Sequence, residues 1–169
     1  MLDRDLMIKA EQGDKASQYE LGMYYFNENC LNFAFYWIMR SAKGGDSRAM
    51  FVLGEFYRKG IGVKIDLKKS YKWLKKASKE QNTKAMNALI TDYMEGVFPS
   101  SSHKTLKLCK KSSKSDSKLG EYYLGLCYYK GIGVKRDIEK ARYHFTMSAV
   151  HGFEFAKSQL CNKDFGIVI

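Results

Sequence analysis

The chain has 169 residues, with 29 Lys and Arg against 18 Asp and Glu, a formal charge of +11. With 45% apolar and 14% aromatic residues, it is long and apolar enough to bury a substantial core, which excludes a disordered polymer. No apolar run approaches the roughly 18 residues of a membrane-crossing helix, so no span is expected.

In chain order, MLDRDLMIKAEQGD mixes charged and apolar residues at helical spacing without an apolar signal core. Residues 1–14 are therefore expected to form a capping helix, and the chain to reside in the cytoplasm. Next, SQYELGMYYFNENCLNFAFYWIMRSAKGGD holds Leu21-Gly22, Tyr25 and Trp37. The following stretch, AMFVLGEFYRKGIGVKIDLKKSYKWLKKASKEQNTKA, repeats these landmarks as Leu53-Gly54, Tyr57 and Trp73 and adds the loop KGIGVK. That loop recurs at Lys130–Lys135, 71 residues after Lys59–Lys64, inside GEYYLGLCYYKGIGVKRDIEKARYHFTMSAVHGFEFA. There Leu124-Gly125, Tyr128, Asp137 and Ala156 answer Leu53-Gly54, Tyr57, Asp66 and Ala85. A separation of 71 is two periods of roughly 35–36 residues, and such a period marks a repeat array. The intervening copy, AMNALITDYMEGVFPSSSHKTLKLCKKSS, keeps Leu89, Tyr93 and Gly96 in register, with Ile90 in place of the glycine. Four units are expected at 17–48, 49–84, 85–119 and 120–155, with 156–169 closing the far end as a cap.

Each unit reads as two helices. Ala49, Leu53 and Tyr57 form an i, i+4, i+8 apolar stripe on the first. Gly54 inside that helix costs about 1 kcal/mol relative to alanine, so its recurrence predicts a helix packed too closely for a side chain. Gly60 and Gly131 are suited to a left-handed helix end. Gly62 and Gly133 are assigned to the chain reversal, and Val63 and Val134 to the helix pair. Asp66 and Asp137 are placed to cap the second helix, which runs through Tyr71, Trp73 and Ala77 in one unit and Phe145 and Ala149 in the other.

The pattern A-x3-LG-x2-Y-x2-G-x-GV-x2-D-x3-(A/S)-x2-W-x3-A resembles the Sel1-like repeat, a relative of the tetratricopeptide repeat. The units at 49–84 and 120–155 match it strongly. The first lacks the Gly-x-Gly-Val loop, and the third replaces it with GVFPSSSHK. The resemblance implies an all-α fold, an α-α superhelix built as a right-handed solenoid of about four helix-turn-helix repeats. First helices would line its inner surface and second helices its outside. It also implies a non-catalytic adaptor or regulator that binds a protein or peptide on the concave face.

Enzymatic readings find little support. KGIGVK follows a helix and lacks both the Walker A spacing and the third glycine of a dinucleotide fingerprint. His144 falls at the register of Trp73 and reads as a packed aromatic substitute; His103 and His151 have no motif-level partner. Cys30, Cys109, Cys127 and Cys161 share no C-x-x-C spacing, so free thiols are expected and no metal or cofactor. Cysteine-rich Sel1-like proteins have been described as binding or hydrolysing β-lactams, but they carry a cysteine pair per repeat that this chain lacks. The stronger alternative is a bacterial immunity or inhibitor protein that neutralises a toxin effector, since Sel1-like proteins resemble some immunity components.

Candidate binding residues lie on the first helices at i, i+4, i+7, away from the core stripe. They are Tyr19, Met23 and Phe26 in unit one, and Phe51, Glu55 and Arg58 in unit two. Unit three supplies Asn87, Thr91 and Met94; unit four supplies Tyr122, Leu126 and Tyr129. Aromatic and Met side chains of this kind are enriched in interfaces; the competing reading is packing against neighbouring helices. On the second helices, Lys68, Lys72, Lys75 and Lys79 make a basic stripe, and Lys107, Lys111, Lys114 and Lys118 repeat the spacing. Stacked neighbours would merge them into one outer patch. A solvated face is the plain reading, followed by an acidic protein partner, with nucleic acid and anionic membrane behind it because lysine dominates over arginine.

Overall fold

The computed structural model describes residues 4–115 and 117–165. Among them every regular element is a helix, and helices consecutive in sequence pack as helix-turn-helix repeats. The chain divides after Ala85 into two compact units.

The first unit contains α1 (Arg4–Glu11), α2 (Lys15–Asn27), α3 (Leu31–Lys43), α4 (Ser47–Lys59) and α5 (Leu67–Lys79). Aspartates start three of these helices by accepting hydrogen bonds from otherwise orphaned backbone N–H groups. Asp14 accepts from Ser17, Asp46 from Arg48 and Ala49, and Asp66 from Lys69. Gly60 ends α4 in the left-handed conformation. Between α2 and α3, Asn29 takes the left-handed role at φ 59° and Cys30 N–H donates to Tyr25 O, so a shorter hairpin closes without the Gly-x-Gly loop. Ala34, Ile38, Ala42, Ala49, Leu53, Phe56 and Tyr57 make one core cluster, which contains the expected stripe, and Ala10, Leu21 and Trp37 make another.

The mid-helix glycines sit where the repeat demands. A β-carbon on Gly22 would lie 2.7 Å from Ile38 Cγ1, and one on Gly54 2.9 Å from Leu74 Cγ. Gly62 carries more than the expected reversal. Its φ is 64°, and a β-carbon there would run into the carbonyl of Leu31 at the start of α3. The loop thus presses on the second helix of the preceding pair, a contact between residues too distant in sequence to be read from a local motif.

The second unit holds most of α6 (Thr83–Met94), then α7 (Ser102–Ser113), α8 (Lys118–Lys130), α9 (Ile138–Val150), α10 (Glu154–Leu160) and a 3-10 turn (Lys163–Phe165). The atypical GVFPSSSHK loop closes with Gly96 at φ 74° and Val97 N–H donating to Asp92 O, and Ser101 caps α7. Asp137 caps α9 through Lys140 N–H, and Gly131 ends α8 in the left-handed region, as the repeat pattern anticipates. A β-carbon on Gly133 would lie 2.5 Å from the Ser102 carbonyl oxygen, the counterpart of the Gly62 contact. Ile90, Leu106, Cys109, Leu124 and Cys127 form one core cluster, and Leu126, Ala141, Phe145 and Phe165 another. Gly125 allows the Phe145 ring to come within 2.7 Å of where its β-carbon would be.

Two units carry the same polar clamp. Ser41 donates to Lys15 O at 2.7 Å and Ser148 to Lys118 O at 2.6 Å, each tying a second helix to the first turn of its partner. In the repeat at 49–84, Ala77 stands at that position, and Asn82 donates to Ser47 O at 3.0 Å instead. Of the stretches expected as end caps, α1 lies within 1–14 and α10 overlaps 156–169. Residues 1–3 and 166–169 fall outside the described set.

Candidate partner-binding surfaces

The first-helix positions are half-buried in both units, except for Leu126, which is buried. In the first, Tyr19, Met23 and Phe26 on α2 and Phe51, Glu55 and Arg58 on α4 are all half-buried. The Arg48 guanidinium, held by Asp46 at 2.7 Å, lies over the Tyr19 ring at 4.4 Å. Phe26 packs on Phe56 with centroids 5.6 Å apart, and Glu55 pairs with Arg58 at 3.4 Å and Lys59 at 3.3 Å. Apolar rings and an ion pair thus share one half-open face.

In the second unit Asn87, Thr91, Met94, Tyr122 and Tyr129 are half-buried as well, and each has a packing or hydrogen-bonding partner. The Asn87 amide donates to Ser117 Oγ at 2.9 Å and accepts from Ser112 Oγ at 2.6 Å, joining α6, α7 and the start of α8. Thr91 Oγ1 and Tyr123 Oη are 3.1 Å apart, and Met94 packs against both core clusters. Tyr122 meets Phe145 and Phe153, and burial pushes its hydroxyl above the ordinary tyrosine value. Leu126 is only 9% exposed and belongs to the core. Tyr129 Oη donates to Asp164 at 2.7 Å, which raises its pKa, and its ring packs on Phe165. The segment after α9 covers this end of the face. Periodicity shows which residues share a face, but not which later segment folds over it.

On α5, Lys68, Lys72, Lys75 and Lys79 are all exposed, as are Lys107, Lys111, Lys114 and Lys118. The second set does not lie on one helix. Because Ser117 caps a new helix, α7 ends at Ser113, Lys114 follows it, and Lys118 is the first residue of α8. Sequence spacing also missed the residues that make α5 more than a stripe. Lys43 and Met39 from α3 join Tyr57, Lys69, Trp73 and Lys76 around a groove of about 600 Å³. A second hollow, of about 350 Å³, is lined by Tyr25, Asn32, Phe33, Tyr36 and Trp37, with Phe33 60% exposed.

His144 stacks on Tyr128, with 5.5 Å between centroids and planes 2° apart, and its Nδ1 lies 2.7 Å from Glu121 Oε2. It is the packed aromatic its register suggests, with an added polar tether. All four cysteines are free thiols. Among the described residues no three His, Cys, Asp or Glu gather as a metal-binding group, and no helix is long and apolar enough to cross a membrane.

Comparison with known proteins agrees with this architecture. The Sel1 repeat family matches at residues 15–30, 47–82 and 119–152, leaving out the stretch with the atypical loop. The Sel1-repeat-containing protein YjcO of Escherichia coli K12 is 30% identical over 149 residues, covering 83% of this chain and 63% of YjcO. This chain therefore spans less than two thirds of that relative. The chitin synthase regulator SKT5 of Saccharomyces cerevisiae is 37% identical over 71 residues, 42% of this chain and 10% of that protein. Among solved structures, c5321, a protective antigen of uropathogenic Escherichia coli strains displaying an SLR fold, superposes with a TM-score of 0.84 at 28% identity. The match covers 92% of this chain and 34% of that one. A Sel1 repeat protein from Oxalobacter formigenes gives a TM-score of 0.78 at 24% identity over 88% of this chain and 62% of its own, a likeness of fold. With half of its length matched by the family and two of its helix hairpins joined by Gly-x-Gly loops, the chain belongs to the Sel1 repeat family.

Proposed function

We propose that this chain is a non-catalytic interaction module, an adaptor or regulator, whose helix-turn-helix repeats hold a protein or peptide against their first-helix face. The supporting observation is the half-open row on α2 and α4, where Tyr19, Met23, Phe51 and Arg58 offer the residue types that dominate interface hot spots. Names among the relatives point the same way. They include a chitin synthase regulator, an activator of C kinase, and a component of an ERAD-associated ubiquitin ligase. A cytoplasmic location belongs to this reading, since free thiols suit a reducing compartment.

The test begins with capture of a partner from the native host, its identification by mass spectrometry, and its purification. Replacing Phe51 and Arg58 together by Ala is expected to weaken that purified partner's binding by about tenfold or more, with the helical circular dichroism unchanged. A folded double variant that binds with unaltered affinity would remove the first-helix face from consideration.

A further inference from the structure

The groove between α3 and α5 has a composition that a merely solvated surface does not need. Its lining includes six lysines and no carboxylate, and its floor is Met39, Tyr57 and Trp73. The lysines come from both helices: Lys43 from α3, the others from α5. Two ammonium groups lie over the floor, Lys76 Nζ at 4.5 Å from the Trp73 ring centroid and Lys69 Nζ at 5.4 Å from that of Tyr57. Lys69 is also paired with Asp66 at 3.3 Å. The aromatic rings thus serve as seats for cations, and Tyr57 is only 8% exposed. Like charges gathered in a concavity repel one another and are relieved by an anionic occupant, and the low-dielectric wall strengthens that attraction.

We propose that this groove docks an acidic peptide segment of a partner protein, with carboxylates on the lysine rim and an apolar side chain against Met39. The lining favours a peptide over a nucleic acid. Single-stranded nucleic acids are held by open aromatic platforms on which bases stack, whereas these rings already carry lysines. No arginine lines the groove to make the bidentate phosphate contacts that such surfaces favour. This site is separate from the first-helix face and does not depend on it.

Fluorescence anisotropy tests the proposal. The probes are a short labelled peptide of glutamates around a central leucine, the same peptide with glutamine, an oligo-dT strand of equal charge, and phosphatidylserine vesicles. The wild-type chain is expected to bind the glutamate peptide at least about tenfold tighter than the glutamine peptide, with affinity falling as salt rises. The exposed pair Lys72→Glu/Lys76→Glu is expected to weaken binding about tenfold or more. Lys107→Glu/Lys110→Glu, the same charge change on α7, should alter it by less than about threefold. Bound peptide should also shift the Trp73 emission, a signal lost in Trp73→Phe. Equal weakening by both lysine pairs, tighter binding of oligo-dT or vesicles, or no binding of the glutamate peptide would each overturn the proposal. Phe51→Ala/Arg58→Ala should leave peptide binding intact, so failure of the first-helix reading and failure of this one are told apart.

Discussion

Gly62 and Gly96 share a left-handed backbone, with φ of 64° and 74°, but not their surroundings. A β-carbon on Gly96 would meet nothing within 4 Å, whereas on Gly62 it would collide with the Leu31 carbonyl and lie 3.0 Å from Phe35 Cβ. Gly96→Ala should therefore cost only the left-handed strain of an L-residue, about 1 kcal/mol. Gly62→Ala adds overpacking against backbone that cannot swing aside, for a total of roughly 3 kcal/mol or more. Urea midpoints of the two variants decide it, and equal losses would show that the loop yields. The paired glycines of KGIGVK were legible as hairpin punctuation because their positive φ is a local requirement. The contact with Leu31 was not, since it joins residues of different repeats.

At the level of helices, α7 and α8 bring Cys109 and Cys127 together, with sulfurs 3.9 Å apart inside the core. The neighbouring Cys127 sulfur and burial push the Cys109 thiol well above the ordinary cysteine value. Cys30 and Cys161, by contrast, are exposed. Thiolate is the reactive form, so a disulfide reagent at pH 8 should titrate two thiols rapidly in the folded chain. The other two should react only at the pace of unfolding, and all four at once in denaturant. Rapid reaction of three or four thiols in native buffer would contradict the packing. The pairing was invisible to spacing rules, which register cysteines close in sequence. Helix starts were legible, because Asp66 and Asp137 satisfy N–H groups within three residues of themselves. The clamp of Ser41, Ser148 and Asn82 was not, because each of them acts across a hairpin.

The whole chain carries 29 basic and 18 acidic side chains, and several of its carboxylates hold helix ends. The Ser17 hydroxyl and N–H hold Asp14 below the usual carboxylate range; the Lys69 N–H does so for Asp66 and the Lys140 N–H for Asp137. For Asp46 burial pushes upward and is outweighed by Arg48 and two backbone N–H donors. Folded values below unfolded ones mean that this stabilisation is present above about pH 4 and lost as the pH falls through the depressed values. Urea midpoints should thus be level from about pH 7 to 5 and drop on further acidification. Asp66→Asn/Asp137→Asn keeps the cap acceptors but not their titration, and should make the acid limb shallower; an unchanged limb would assign acid sensitivity elsewhere. The repeat period, the hairpins, their caps and the family can all be read along the chain, because each rests on short-range geometry and on a pattern that recurs. Which later residues meet Tyr122 and Tyr129 could not, since Phe153 and Phe165 come from beyond α9. The basic groove is likewise a product of packing. Lys43 and Met39 reach Trp73 only when α3 and α5 come to flank α4, and burial of the apolar stripe between them is what brings them there.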